Sequence, residues 1–518
     1  LGRRERVGLE ELGSQGAIGR RGHEGRAGAF GTNRSSTGFA AGFAAGSGIL
    51  VVPCWGGRCQ AHVRLVTLFL GRLPEQTIAQ PFLHPHGWGL GLVVARGNRM
   101  SLWVNGVLGP EFDRIEPGSF SFSPDGRRFA YTAQTPQGWT LVLDHAPGPL
   151  YEEIGNPVFS RDGQHYLYPA RRNGQWTVVV DGKEGAFFES VGSAVFSPDG
   201  HRIAYPAQRE GRWRMVVDGV LGQPFEVVSR PIFAPNSQRL AYVARQGENF
   251  FVVVDGQTHG PYRSVGWVTF SPDGLRVAFG AAGTKGRFVA IDGLEGQCYD
   301  DIGVAIFSAN SKHLAYKARK GPASLVVVDH KEGPLFADVA MLLFRGEGPE
   351  VVYAARKASG WVVVTAERES ASYPSIEALG VTPTGKCLAY VVRKAGGIVA
   401  VVNGEEFGPF DGCSPPVFPR TGERVAFVVK RGNKWFGLVD GKEGSPFEQI
   451  VRFLFSPDGR HAICVGIKEG KCRLVVDNEE VAVFDDIVRN GPSFRDDGKL
   501  EFLSVKNGEV SRSLIMFD

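Results

Sequence analysis

Apolar residues run along this chain in short clusters that polar turns break again and again. The stretch 193–229 shows the pattern: "SAVFSPDGHRIAYPAQREGRWRMVVDGVLGQPFEVVS". Its apolar runs are "AVF", "RIAYPA", "WRMVV" and "PFEVV", separated by "SPDG", "REGR" and "VDGVLG". Each run is too short for a helix of ordinary length. Asp-Gly steps favour hairpins because glycine accepts positive φ at little cost. Proline before Asp-Gly presets the turn and cannot join a strand ladder. The pattern predicts four antiparallel strands per unit and no helix anywhere in the body.

The unit recurs. The aromatic of "FSPDG" falls at Phe122, Phe159, Phe196, Phe233, Phe270, Phe307 and Phe344, with Val381, Phe418 and Phe455 continuing the series at a step of 37 residues. Further copies begin at Leu83 ("LHPHG") and Phe494 ("FRDDG"), which makes twelve. A fixed period of this length marks an array or a propeller. The last copy stops after three strands, and 71–82 ("GRLPEQTIAQPF") is predicted to supply its missing outer strand, leaving no open sheet edge.

"FSPDG" followed by "RIAY" resembles the WD-like repeats of TolB-type β-propellers and the propeller domains of prolyl-oligopeptidase-type enzymes. The resemblance covers about 75–518. It implies that the "FSPDG" strand is innermost and that partners bind at a ring face. The fold class is therefore all-β, a propeller of twelve four-stranded blades of about 37 residues. A very large ring leaves a channel that side chains cannot fill, so packing favours two six-bladed rings, 71–295 and 296–518. Unequal rings or one large ring are the alternatives.

Equivalent positions assign most residues to packing. Tyr131, Tyr168, Tyr205, Tyr242, Tyr316, Tyr353 and Tyr390 share a column with Phe279 and Phe427; Trp139, Trp176, Trp213, Trp361 and Trp435 share another. Large apolar groups at one blade position pack blade on blade. Asp144, Asp181, Asp218, Asp255, Asp292, Asp329, Asp440 and Asp477 form a turn column, with Asn403 in the same place. His165, His313 and His461 stand where other copies carry Arg, which reads as an exposed position after a turn, not a metal ligand. Cys464, Cys472 and Cys387 are isolated substitutions, and the seven cysteines show no disulfide or zinc spacing.

Charge changes the picture in one place. Residues 1–70 hold nine Arg and four Glu, and the remainder holds 49 basic and 50 acidic residues, so bulk charge carries no nucleic-acid signal. Yet the hairpin between the second and third strands is persistently basic: Arg171, Arg172, Arg209, Arg245, Arg319, Lys320, Arg356, Lys357, Arg393, Lys394, Lys430 and Arg431. In a propeller these tips share one face, which would attract an anionic partner. No nucleophile elbow, zinc-protease motif, CxxC or phosphate loop occurs. The reading is a non-catalytic binding scaffold for a protein or other anionic macromolecule, with no cofactor, no catalytic or metal-ligating residues and no membrane span in the body. The alternative is a propeller hydrolase or lyase with its site at a channel mouth, marked by residues that break their columns. Copy eight (344–380), which loses the turn aspartate to Ala366, is the expected place for such a break. Residues 1–70 are Gly/Arg-rich and non-repeating, and are read as a disordered leader or a misassigned start. The uncharged stretch 35–57 is a candidate export signal, which would place the protein outside the cytoplasm; otherwise it is cytoplasmic.

Overall fold

The computed structural model describes residues 48–50, 63–72, 82–83, 89–487, 491–495 and 497–517. The chain is a twelve-bladed β-propeller. Its blades run over 82–112, 114–151, 153–184, 190–225, 227–262, 264–295, 301–332, 338–364, 375–410, 412–443, 449–484 and 486–517. Most of the expected leader 1–70, with most of the candidate export signal 35–57, lies outside the described residues, but its last part is not disordered: 63–70 belongs to a paired strand. No helix among the described residues is long and apolar enough to cross a membrane.

Blade 4 shows why the repeat folds this way. Its first strand is split into Ser190–Val191 and Val195–Phe196, and both pieces pair with Ile203–Arg209. Arg212–Val217 and Val220–Phe225 complete the sheet. Between them Asp218 and Gly219 both take positive φ, 50° and 82°, the two-residue hairpin whose twist suits its flanking strands. This moves one expected boundary. "VLGQPF" is the outer strand, and the "VV" of "PFEVV" opens the next blade as Val227–Val228. The tight Asp-Gly hairpin turns the chain at once, so no longer connection remains.

Closure comes from the N-terminal side, as expected in kind but from different residues. Val63–Arg72 pairs antiparallel with Glu509–Phe517 and completes blade 12. Leu65 enters the core with Phe502 and Ile515. Of the segment expected to do this, 71–82, only Gly71 and Arg72 join the closing strand, and Phe82 pairs in blade 1. The run "VRLVTLFLGR" is rich in β-branched, leucine and aromatic residues and pairs over most of its length, whereas 71–82 holds two prolines.

Each blade buries its faces against its neighbours. Separate apolar cores join blade 1 to 2, 2 to 3, and onward through 11 to 12. One core crosses the 295/296 boundary, packing Ile291 and Tyr299 with Tyr316 and Leu325. Another joins blade 12 to blade 1 through Leu503, Val510, Leu92 and Trp103. Two closed rings of six would set blade 6 on blade 1 and blade 7 on blade 12. No apolar core among the described residues makes either pairing.

The tyrosine column fills these cores. Tyr131, Tyr168, Tyr205, Tyr242, Tyr316, Tyr353 and Tyr390 are all buried. Most meet an aromatic of the preceding blade edge to face, as Phe188 meets Tyr205 at 6.2 Å.

Candidate functional site

The turn residues do more than turn the chain. The Ser197 hydroxyl donates to Asp199 Oδ1 at 2.5 Å, and His201 N donates to the same oxygen at 3.1 Å. These two bonds hold the Asp199 carboxyl below the usual carboxylate range. Asp199 N in turn donates to Ser237 Oγ of the next blade. Arg202 pairs with Asp218 at 2.8 Å, donates to the Gln238 carbonyl of blade 5, and lies over the Phe233 ring at 5.5 Å. The Arg column is thus a staple between blades, where the sequence reading gave only an exposed position. His165, His313 and His461 keep half of the staple, each placing Nδ1 within 2.7 Å of the column aspartate. Asp218 also accepts the Ile203 N–H. Asp218→Ala is expected to cost about 1–3 kcal/mol, and Asp218→Asn less, because Asn403 fills the same role for Leu388 N. Chemical denaturation of the two variants checks the order.

The twelve basic residues all stand at the hairpin between the second and third strands. Seven are in ion pairs. Arg172, Lys320, Lys357, Lys394 and Arg431 reach a glutamate of their own blade: Glu184, Glu332, Glu369, Glu406 and Glu443 respectively. Each also lies over an aromatic of the preceding blade, Arg172 over Tyr151 at 4.7 Å being typical. Arg171 pairs with Glu153 and Arg393 with Glu377. Arg209 lies over Phe188 and Lys430 over Trp435. Arg245, Arg319 and Arg356 have neither an ion pair nor an aromatic partner among the described residues.

A second column, overlooked in the sequence, balances the first. The connection between blades carries Glu152, Glu189, Glu226, Asp300, Asp411, Glu448 or Asp485, and each accepts a backbone N–H of the basic hairpin. Its 37-residue spacing was visible; its task was not, because a hairpin N–H leaves no mark in the sequence. The column is broken at blades 6, 8 and 9, where Arg263, Ala337 and Pro374 stand. Arg245, Arg263, Lys285, Arg319 and Arg356, which have no ion pair among the described residues, stand at blades 5 to 8, where Glu226 and Asp300 still hold their places in the acidic column.

The columns break in two places, in blade 8 as expected and also between blades 10 and 11. Cys464 replaces the column tyrosine. Gly437 replaces the Leu, Val, Met or Ala of blades 2 to 9, and Gly466 replaces Ala or Val. Two rings move toward the vacated backbone: a Cβ on Gly437 would stand 2.6 Å from the Phe453 ring, and one on Gly466 would overlap Phe447. A cavity of about 510 Å³ remains, with Phe447, Phe453, Cys464 and Val475 as its floor. Arg424, Asp440, Asp477 and Asn478 stand at its mouth. Blade 8 has lost its fourth strand to isolated pairs at Tyr373 and Glu369, and its first strand bulges at Met341, φ 56°.

No protein-family model matches this chain, and no curated protein does. Among solved structures it is similar to a Dos1 propeller, with 13% identity over 55% of this chain and 90% of that one, TM-score 0.29. TolB from Acinetobacter baumannii shows 15% identity over 47% and 78%, TM-score 0.22. The β-propeller domain of Myceliophteria thermophila Cps50 (Swd1) shows 13% identity over 49% and 96%, TM-score 0.23.

A related cleft of about 430 Å³ lies between blades 5 and 6, lined by the equivalent residues Arg239, Asp255 and Asp292. The same turn residues thus border a cleft at both junctions, and the one at blade 11, where the ring is lost, is the larger of the two. No group of three or more His, Cys, Asp or Glu among the described residues could hold a metal ion. Burial pushes the Cys464 thiol up to about 12, so it is protonated and unreactive at neutral pH. Of the described cysteines, Cys298 alone is exposed. Iodoacetamide at neutral pH is expected to modify Cys298 and leave Cys464 intact, which peptide mass mapping reads directly.

Proposed function

We propose that the chain is a non-catalytic binding scaffold, that its twelve blades form one closed ring, and that an acidic protein surface docks on the hairpin face at blades 5 to 8. The single-ring reading rests on the apolar core shared by blades 12 and 1. It is supported by the exposure of apolar side chains along the inner edge of the blades, Val304 at 43% between the two pieces of a first strand and Val451 at 48% on another, which suits an open channel. The docking reading rests on four arginines of blades 5 to 8 that have no ion pair among the described residues. Cations that already share a carboxylate add little net field, whereas Arg245, Arg263, Arg319 and Arg356 remain available.

Retention on a polyglutamate resin tests this. The variant with Arg245, Arg263, Arg319 and Arg356 changed to Glu is expected to elute at much lower salt than the wild type. Changing Lys394 and Arg431 to Glu should lower the melting temperature and leave elution nearly unchanged. Equal elution of all three proteins, or no retention of the wild type at low salt, overturns the docking reading.

A further inference from the structure

The cavity between blades 10 and 11 lies away from the basic hairpins, and the scaffold reading gives it no part. Its shape has a specific origin. In blade 4 the Tyr205 hydroxyl stands 3.9 Å from the Cβ position of Gly185, and in blade 5 the Tyr242 hydroxyl stands 3.7 Å from that of Gly222. The column tyrosine therefore spans from its own strand to the glycine of the preceding blade. At blade 11 those two ends are Cys464 and Gly444, and both line the cavity. The empty space is thus in part the place of a missing phenol. A neighbouring aromatic survives as Phe447, the counterpart of Phe188, which meets Tyr205 edge to face.

We propose that this cavity binds a small aromatic molecule bearing a hydroxyl group, seated where the other blades carry their tyrosine. The floor of Phe447, Phe453, Cys464 and Val475 is apolar and suits a ring face. The mouth offers hydrogen-bond acceptors. Asp440 and Asp477 keep their carboxylates there, each with two of its four lone-pair directions left beyond its Arg424 or His461 partner and its backbone N–H. The volume, about 510 Å³, lies within the range of small-molecule sites. An apolar space left by a lost side chain takes up ring compounds of matching size. Phe447 and Phe453 lie close against the two glycines, and the cavity stays open beside them.

The experiment uses the full chain and 4-methylphenol, the tyrosine side chain as a free molecule. Its binding is measured by isothermal titration calorimetry, with toluene as the probe lacking a hydroxyl. The wild type is expected to bind 4-methylphenol at least tenfold more tightly than toluene. Cys464→Tyr is expected to abolish binding by restoring the ring. Where that variant does not fold, Cys464→Met, whose flexible chain fills irregular space, should weaken binding at least tenfold. No binding by the wild type, equal binding of the two probes, or binding unchanged in the folded variant overturns the proposal.

Discussion

A chain shortened to residues 73–518 is expected to melt roughly 10 °C below a chain shortened only to 61–518, and to aggregate on heating. The difference between the two is the closing strand, Val63–Arg72. Its removal strips Glu509–Phe517 of its outer partner along nearly its whole length. It also uncovers the core around Phe502 and Ile515, which Leu65 helps to cover. Burial of a leucine is worth about 2 kcal/mol. The lost ladder adds several hydrogen bonds of about 1 kcal/mol each. An open edge strand nine residues long is in addition a template for a second chain. Differential scanning calorimetry with light scattering reads both effects. Leu65→Asp in the longer chain should reproduce much of the loss without removing any backbone.

Tyr168→Ala is expected to cost about 3–5 kcal/mol, whereas Cys464→Ala, at the equivalent position of blade 11, should cost less than about 1.5 kcal/mol. Tyr168 is 1% exposed and packs edge to face on Tyr151 at 6.1 Å. Its removal leaves a void between blades 2 and 3 that rigid sheets cannot collapse into. Cys464 already borders a cavity, so losing its sulfur removes few contacts. The same column carries a pH dependence. Burial pushes the Tyr242 phenol up to about 12 and raises the phenols of Tyr131 and Tyr168 further. A phenol whose folded value is raised favours the folded state fully below its unfolded value near 10. That contribution is lost as pH climbs from 10 toward 12, and Cys464 acts in the same direction from about 9. Melting temperatures should therefore fall steeply above pH 10, and less steeply in Tyr242→Phe.

The architecture was open to sequence reasoning because the repeat averages over its own exceptions. Twelve equivalent positions show that the column of Tyr168 and Tyr205 is packing, and that Asp218 and its equivalents are turn residues. The structure bears out both. Pairings between distant positions were less visible. That Arg202 grips both Asp218 and the next blade, and that Glu189 caps the hairpin at Glu210 and Gly211, depends on backbone groups that every residue carries. The basic hairpins showed their charge but not its compensation, because Glu332 and Lys320 lie twelve residues apart and meet only once two strands pair. The cavity was foreshadowed by Cys464, which stood out in its column. The glycines that accompany it, Gly437 and Gly466, were not singled out among the seventy of the chain. The closing strand was assigned to the wrong side of residue 71 because it does not belong to the repeat and shares none of its turns.

The arrangement of the blades is the central claim, and a distance between spin labels tests it most directly. Twelve sheets packed about 10 Å apart make a circumference of about 120 Å and a diameter of roughly 40 Å. Asn98 and Lys285 stand at equivalent exposed hairpins of blades 1 and 6, and Asn507 at that of blade 12. Labels are attached to Cys at these sites, taken in pairs, with Cys54, Cys59 and Cys298 changed to Ser. One closed ring predicts a distance near the full diameter between 98 and 285, and a separation of neighbouring blades between 98 and 507. A short distance between 98 and 285 would mean that blade 6 closes on blade 1, and would contradict the single ring.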